Sequence, residues 1–162
     1  MRSSMRCRWA AWAKLGECSR QLGTVPRVLD IVHLNPDGLP RNPAFSQAVS
    51  VAGHARTIYV GGQNAISADG AVIGDDAGTQ TARALGNLEL VLAEAGASLD
   101  DVVSWTMQVV DGQPLGPAFA AFQQVWGTRQ NPPAISVAFV SALANPSFLV
   151  EISAIAVVDA GA

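Results

Sequence analysis

Few side chains in this sequence are equipped for chemistry, and Glu151 is foremost among them. It stands in the run Phe148 to Val157, which is otherwise apolar apart from Ser153. If that run is a strand, period-two alternation puts Glu151, Ser153 and Ile155 on one face. A carboxylate among apolar neighbours suits a general base, because desolvation raises a carboxyl pKa toward neutrality. A solvated strand glutamate is the plain alternative, and spacing alone favours it. Arg41, four residues before Phe45, is a loop cation that could swing into a cleft, although loop arginines are usually solvated. Gly61-Gly62-Gln63-Asn64 follows a strand-like run but lacks G-x-G-x-x-G and a capped helix behind it, which argues against a phosphate loop. A close approach within a sheet is the better reading of these glycines. His33, in a Pro-rich loop, and His54, in a turn, have no carboxylate or Cys at ligand spacing, so a metal site is not expected.

The elements that must position these residues follow from the pattern. Asp30 to Pro43 holds three prolines and reads as loop, so the compact fold is expected after it. Phe45 to Ala52 and Thr57 to Val60 read as two strands joined as a hairpin. Ala71 to Ile73 is a short apolar run. Asp75 and Asp76 can cap a helix running to about Ala95, with Leu85, Leu88, Leu92 and Ala95 on one stripe and Gly96 as its stop. Val102 to Val110 alternates as a strand with Val103, Trp105, Met107 and Val109 on its dry face. Pro117 to Trp126 spaces Phe119, Phe122 and Trp126 as a second helix, the stripe reading as core. Ala134 to Val140 and Phe148 to Val157 are Val- and Ile-rich strands set off by Pro-containing breaks. The sum is an α+β fold, one mixed sheet covered by two helices on one face.

The 162 residues suit one domain, and composition narrows its partners. Hydrophobic residues make up 49% and charged residues only 14%, against about 25% in an ordinary domain, with a mean hydropathy of +0.26. No uncharged apolar stretch reaches the roughly 18 residues of a spanning helix, so association with other subunits is the expected cover for the charge-poor exterior, not a membrane. Residues 1–28 carry six cations against Glu17, while residues 29–162 carry four arginines against twelve carboxylates, a net of −8. So acidic a body argues against nucleic acid as a partner. Cys7 and Cys18 both lie in the basic leader, which leaves residues 29–162, the expected single domain, without thiol chemistry. The leader lacks a continuous apolar region and a small-x-small cleavage site, which weakens a secretory reading; its Arg-rich balance fits a mitochondrial presequence better. A disordered tail, or a start assigned upstream of Met5, is the plainer expectation, and the protein is expected in the cytoplasm.

Several blocks carry a resemblance. Phe45-Ser46-Gln47-Ala48, Tyr59-Val60-Gly61-Gly62-Gln63, the helix with Gln80, Ala84, Leu85, Asn87 and Leu88, the run Ala95 to Val103, Asn131-Pro132-Pro133-Ala134 and Val150 to Ala156 resemble the reactive intermediate deaminase family, RidA, also called YjgF/YER057c/UK114. They follow family order from about residue 43 to 158. The resemblance implies a chorismate-mutase-like (YjgF-type) fold, a homotrimer, clefts between subunits, and hydrolysis of small enamines and imines without metal or cofactor. It also implies that Glu151 positions the attacking water. The family's carboxylate-binding Arg falls on Ile135, and the second Glu of its Glu-Ile-Glu falls on Ser153. Phe45 stands where Tyr is common, Gly61 where Ser is common, Phe119 where Asn occurs and Val137 where Cys occurs.

Each departure makes the implied cleft less polar. A charge-assisted Arg–carboxylate bond contributes on the order of 1.5–3 kcal/mol, and Ile135 replaces it with a wall that disfavours a carboxylate. A neutral or aromatic substrate is therefore expected, bound by Phe45, Gly61, Phe119, Ile135 and Val137. The alternative is a non-catalytic trimer that binds a metabolite or a protein partner through the same clefts.

Overall fold

A computed structural model of the chain describes residues 28–161. The expectations about the leader and its cysteines lie outside the described residues. In chain order the elements are β1 (Asp30–Leu34), β2 (Ala48–Ala52), β3 (Ala55–Gln63), α1 (Ala77–Glu94), a short 3-10 turn (Leu99–Asp101), β4 (Val102–Val110), α2 (Leu115–Trp126), β5 (Ala134–Val140) and β6 (Val150–Asp159). Four strands form a mixed sheet in the order β3-β6-β4-β5, antiparallel except for the parallel β4–β5 pair.

Helix α1 forms where its signals predict. The Asp76 side chain accepts from the Thr79 backbone N–H at 2.9 Å, and Gly96 ends the helix at φ +68, which a Cβ would disfavour. Its buried stripe, Ala77, Gln80, Thr81, Ala84, Leu85, Leu88 and Leu92, recurs at three and four residues and seals one face of the sheet. Helix α2 has no side-chain cap at its start, but Arg129 reaches back from beyond its end to the Val125 and Trp126 carbonyls, both at 2.9 Å. Phe122 and Trp126 meet Trp105 of β4 edge-on, with centroids 5.1 and 5.6 Å apart, so these two residues of the aromatic stripe are core as expected, whereas Phe119, one turn earlier, is 44% exposed.

Two expectations fail here. The segment from Asp30 is not all loop: Asp30–Leu34 alternates half-buried and exposed residues and pairs along its whole length with β2. The expected hairpin between the second and third strands is absent, because β2 pairs with β1 and β3 with β6. Only Gly53 and His54 separate β2 from β3, and Gly53 at φ +100 lets the chain turn a corner there instead of folding back. The missed strand β1 is the physical reason, since it supplies the partner that β2 would otherwise have found in β3. The base of this two-stranded ribbon is tied to the start of β5: buried Ser46 donates its hydroxyl to the Pro132 carbonyl at 2.6 Å, and the His33 Nδ1 lies 3.1 Å from both.

Candidate functional site

Glu151 lies on the face of the sheet that the helices leave open. Its neighbours Val150 and Ile152 are fully buried against α1, and alternation turns Glu151, Ser153 and Ile155 the other way. The ladder beneath it is irregular. From Ala55↔Asp159 to Val60↔Ala154 the β3–β6 register is constant, then it slips by one residue to Gln63↔Ile152. The extra residue makes a β-bulge at Gly61–Gly62. The Glu151 side chain lies on Gly62 in the space a side chain would take: a Cβ there would stand 2.6 Å from Oε1 and 2.8 Å from Cγ. The close approach expected of the glycines is thus made by a side chain, and Gly62 makes it; a Cβ on Gly61 would meet nothing within 4 Å.

Amides secure both ends of this arrangement. Asn64 donates through Nδ2 to the Val150 carbonyl at 3.1 Å. Asn87 of α1 donates through Nδ2 to the Asn64 and Ile66 carbonyls, each at 2.9 Å. Gln80, only 1% exposed, donates to the Gly74 and Ser147 carbonyls at 3.0 and 2.8 Å and accepts from the Leu149 N–H at 2.8 Å. Gln80 and Asn87 enter the sequence reading only as pattern, and Asn64 only within a glycine-rich tetrapeptide. The one available signal is a buried-stripe position of a helix filled by an amide, which implies obligatory partners.

The other candidates gather on the opposite face. Ile135 pairs in register with Trp105, and Val137 with Met107, so both share the helix-covered face. Ile135 is half-buried against the core, whereas Val137, on the sheet's outer strand, is 48% exposed. Phe119 of α2, 44% exposed, lines a surface pocket of about 380 Å³ with Asn42, Pro43, Ala44, Phe122, Gln123 and Trp126. Phe45 follows directly on that loop and bridges to Asn42. The structure therefore sets Phe119 beside the loop that leads into Phe45, puts Ile135 and Val137 on the helix-covered side of the sheet, and leaves Glu151 and the glycines on the far side. Two strand spacings, about 9.5 Å, three residues along the strands, about 10 Å, and the thickness of the sheet separate Glu151 from Ile135.

Every arginine among the described residues has a partner of its own. Arg41 is 74% exposed and pairs with Asp37 of its own loop at 3.0 Å. Arg56 donates to the Ala95 carbonyl, Arg83 to the Ile66 carbonyl, and Arg129 pairs with Asp100. No ion pair among the described residues involves Glu151. No group of three His, Cys, Asp or Glu residues stands close enough to hold a metal ion among the described residues. No described helix is long and apolar enough to cross a membrane.

The fold agrees with what comparison with known proteins finds. Residues 39–158 match the family model described as Endoribonuclease L-PSP. A RutC family protein from Pyrococcus abyssi is 34% identical over 113 residues, covering 69% of this chain and 84% of that protein. Among solved structures, the Rid family protein YyfB of Yersinia pestis is 36% identical and superposes with a TM-score of 0.71, covering 79% of this chain and 98% of that one. A Mycobacterium tuberculosis member of the YjgF/YER057c/UK114 family is also 36% identical, with a TM-score of 0.54 over 70% of this chain and 86% of that one. The chain belongs to this family, the Rid/YjgF proteins.

Proposed function

We propose that this protein hydrolyses small, uncharged imines or enamines in clefts shared between copies of the chain, assembled as a homotrimer. The observation that carries the reading is the seat of Glu151: a carboxylate held on a glycine bulge, half-buried, with no ion pair among the described residues to occupy it. Glu151 takes a proton from a water molecule as that water attacks the C=N carbon. The carbinolamine then collapses, so that R2C=NH and H2O yield R2C=O and NH3. Glu151 and Ile135 lie on opposite faces of one sheet, so a cleft holding both draws them from two copies. Apolar residues left exposed in one copy, among them Tyr59, Val137 and Phe139 at 78%, 48% and 53%, support such burial. Phe45, Gly61, Phe119, Ile135 and Val137 form the binding walls, with no cation among them for a substrate carboxylate.

The test is ammonia release from freshly generated imines, with and without a carboxylate. Neutral imines are expected to turn over faster. Glu151→Gln lowers the rate by about 10²–10⁴-fold, the usual contribution of a general base. Ile135→Arg improves use of the carboxylated imines by about ten- to a hundredfold. No turnover of any imine by the wild type sinks the reading. In that event the second reading stands, a non-catalytic trimer that binds a metabolite or partner. It is favoured by Ile135 itself, packed against the core where the family has a functional cation, and ligand-induced thermal stabilisation without turnover would establish it.

A further inference from the structure

We propose that Asn64 and Asn87 are positioning residues for the Glu151 carboxylate, acting by locking the Gly61–Gly62 bulge in place. This rests on reading Glu151 as the group that activates water. A bulge is a one-residue misregister, and a strand that slips by one turns every side chain to the other face. Two adjacent glycines resist such a slip poorly, since neither prefers one backbone conformation nor packs a side chain. The lock must therefore come from outside the ladder.

Two hydrogen-bonding steps supply it. Asn64 is the first residue after β3, and its Nδ2 holds the Val150 carbonyl, the oxygen of the peptide that enters Glu151. The slipped register places Asn64 across from Glu151, so this bond pins the strands on the far side of the bulge. Asn87 then fastens Asn64 to the most deeply packed helix, with both amide hydrogens used on the Asn64 and Ile66 carbonyls. On the same helix Arg83 reaches Ile66 as well, and Gln80 holds residues 147 and 149 just before β6. Residues 80, 83 and 87 follow helical spacing, so one stripe of α1 grips the exit of β3 and the entry of β6 together. The two segments held this way are the ones that carry Gly62 and Glu151. Apolar side chains could have glued them to the helix, but only directed bonds fix a register.

Asn64→Ala and Asn87→Ala are to be compared with Arg56→Ala, which loosens the other end of the same helix by freeing the Ala95 carbonyl. The carboxyl carbon of Glu151 is followed by NMR, assigned by its disappearance in Glu151→Gln. Both Asn variants are expected to shift or broaden that resonance and to lower kcat for imine hydrolysis about tenfold or more with KM within about twofold, as misplacement of a catalytic group does. Arg56→Ala is expected to lower the unfolding midpoint yet leave the resonance and kcat as they were. Asn87→Gln, which keeps both donors, restores part of the effect. An unmoved Glu151 resonance in both Asn variants overturns the proposal. If Glu151→Gln itself retains turnover, the catalytic reading of Glu151 is what fails, and the resonance alone still decides whether the two asparagines hold it.

Discussion

The two faces of the four-stranded sheet are built on different terms. On the covered face Trp105, Met107 and Val109 of β4 and Val150, Ile152, Ala154 and Ala156 of β6 are buried under Leu85, Leu88 and Leu92. On the open face the same two strands present Ser104, Thr106 and Gln108, and Glu151, Ser153 and Ile155. One face stores stability in apolar contact; the other holds the Glu151 carboxylate at a place where packing has little at stake. Alternation lets one strand serve both ends, since each residue spent on the core leaves its neighbour free for chemistry. Where the two faces do depend on each other, polar bonds from α1 make the link.

That contrast can be broken most sharply on the covered face. Leu88→Ala, at a position with 0% exposure, is expected to cost about 2–5 kcal/mol in denaturant unfolding, whereas Glu151→Gln on the open face stays within about 0.5 kcal/mol. A large stability loss at Glu151 would show that the open face is structural after all. Gln80→Leu sits between the two cases. It keeps the apolar stripe but strands the Leu149 N–H and two carbonyls, with an expected loss of about 1–3 kcal/mol by the same measurement.

The smallest effect tests the cap of α1. The Thr79 hydroxyl, foremost, and the Thr79 N–H hold the Asp76 carboxyl below its ordinary value of 3.8. A depressed carboxyl pKa stabilises the fold above that ordinary value and ceases to do so as pH falls through the folded value. Asp76→Asn is therefore expected to unfold slightly earlier than the wild type near neutrality, and the gap should close in acid. A gap that persists in strong acid would mean that the charge is not what the cap contributes.

Much of the fold was legible because local signals and burial agree. Val102–Val110 and Ala134–Val140 lie where alternation and β-branching place them, and α1 runs between Asp76 and Ala95 as its cap and glycine stop require. The ribbon was not legible. Asp30–Leu34 alternates as a strand does, but its setting among prolines masked it, and pairing between strands is a long-range choice that no local window records. In the site, Glu151 stood out as the carboxylate in an apolar run, while its seat on Gly62 depends on a register slip between segments some ninety residues apart in the chain.

Periodicity alone therefore determined which face of each element is dry, because a side chain's direction follows from its own backbone. Family membership was likewise readable from short blocks. Only the tertiary structure decided that Ile135 and Glu151 stand on opposite sides of the sheet, that Asn64 and Gln80 bond to the start of the glutamate's strand, and that Asn87 bonds to Asn64. Those are relations between distant segments, set by register and by hydrogen bonds whose partners a sequence does not name.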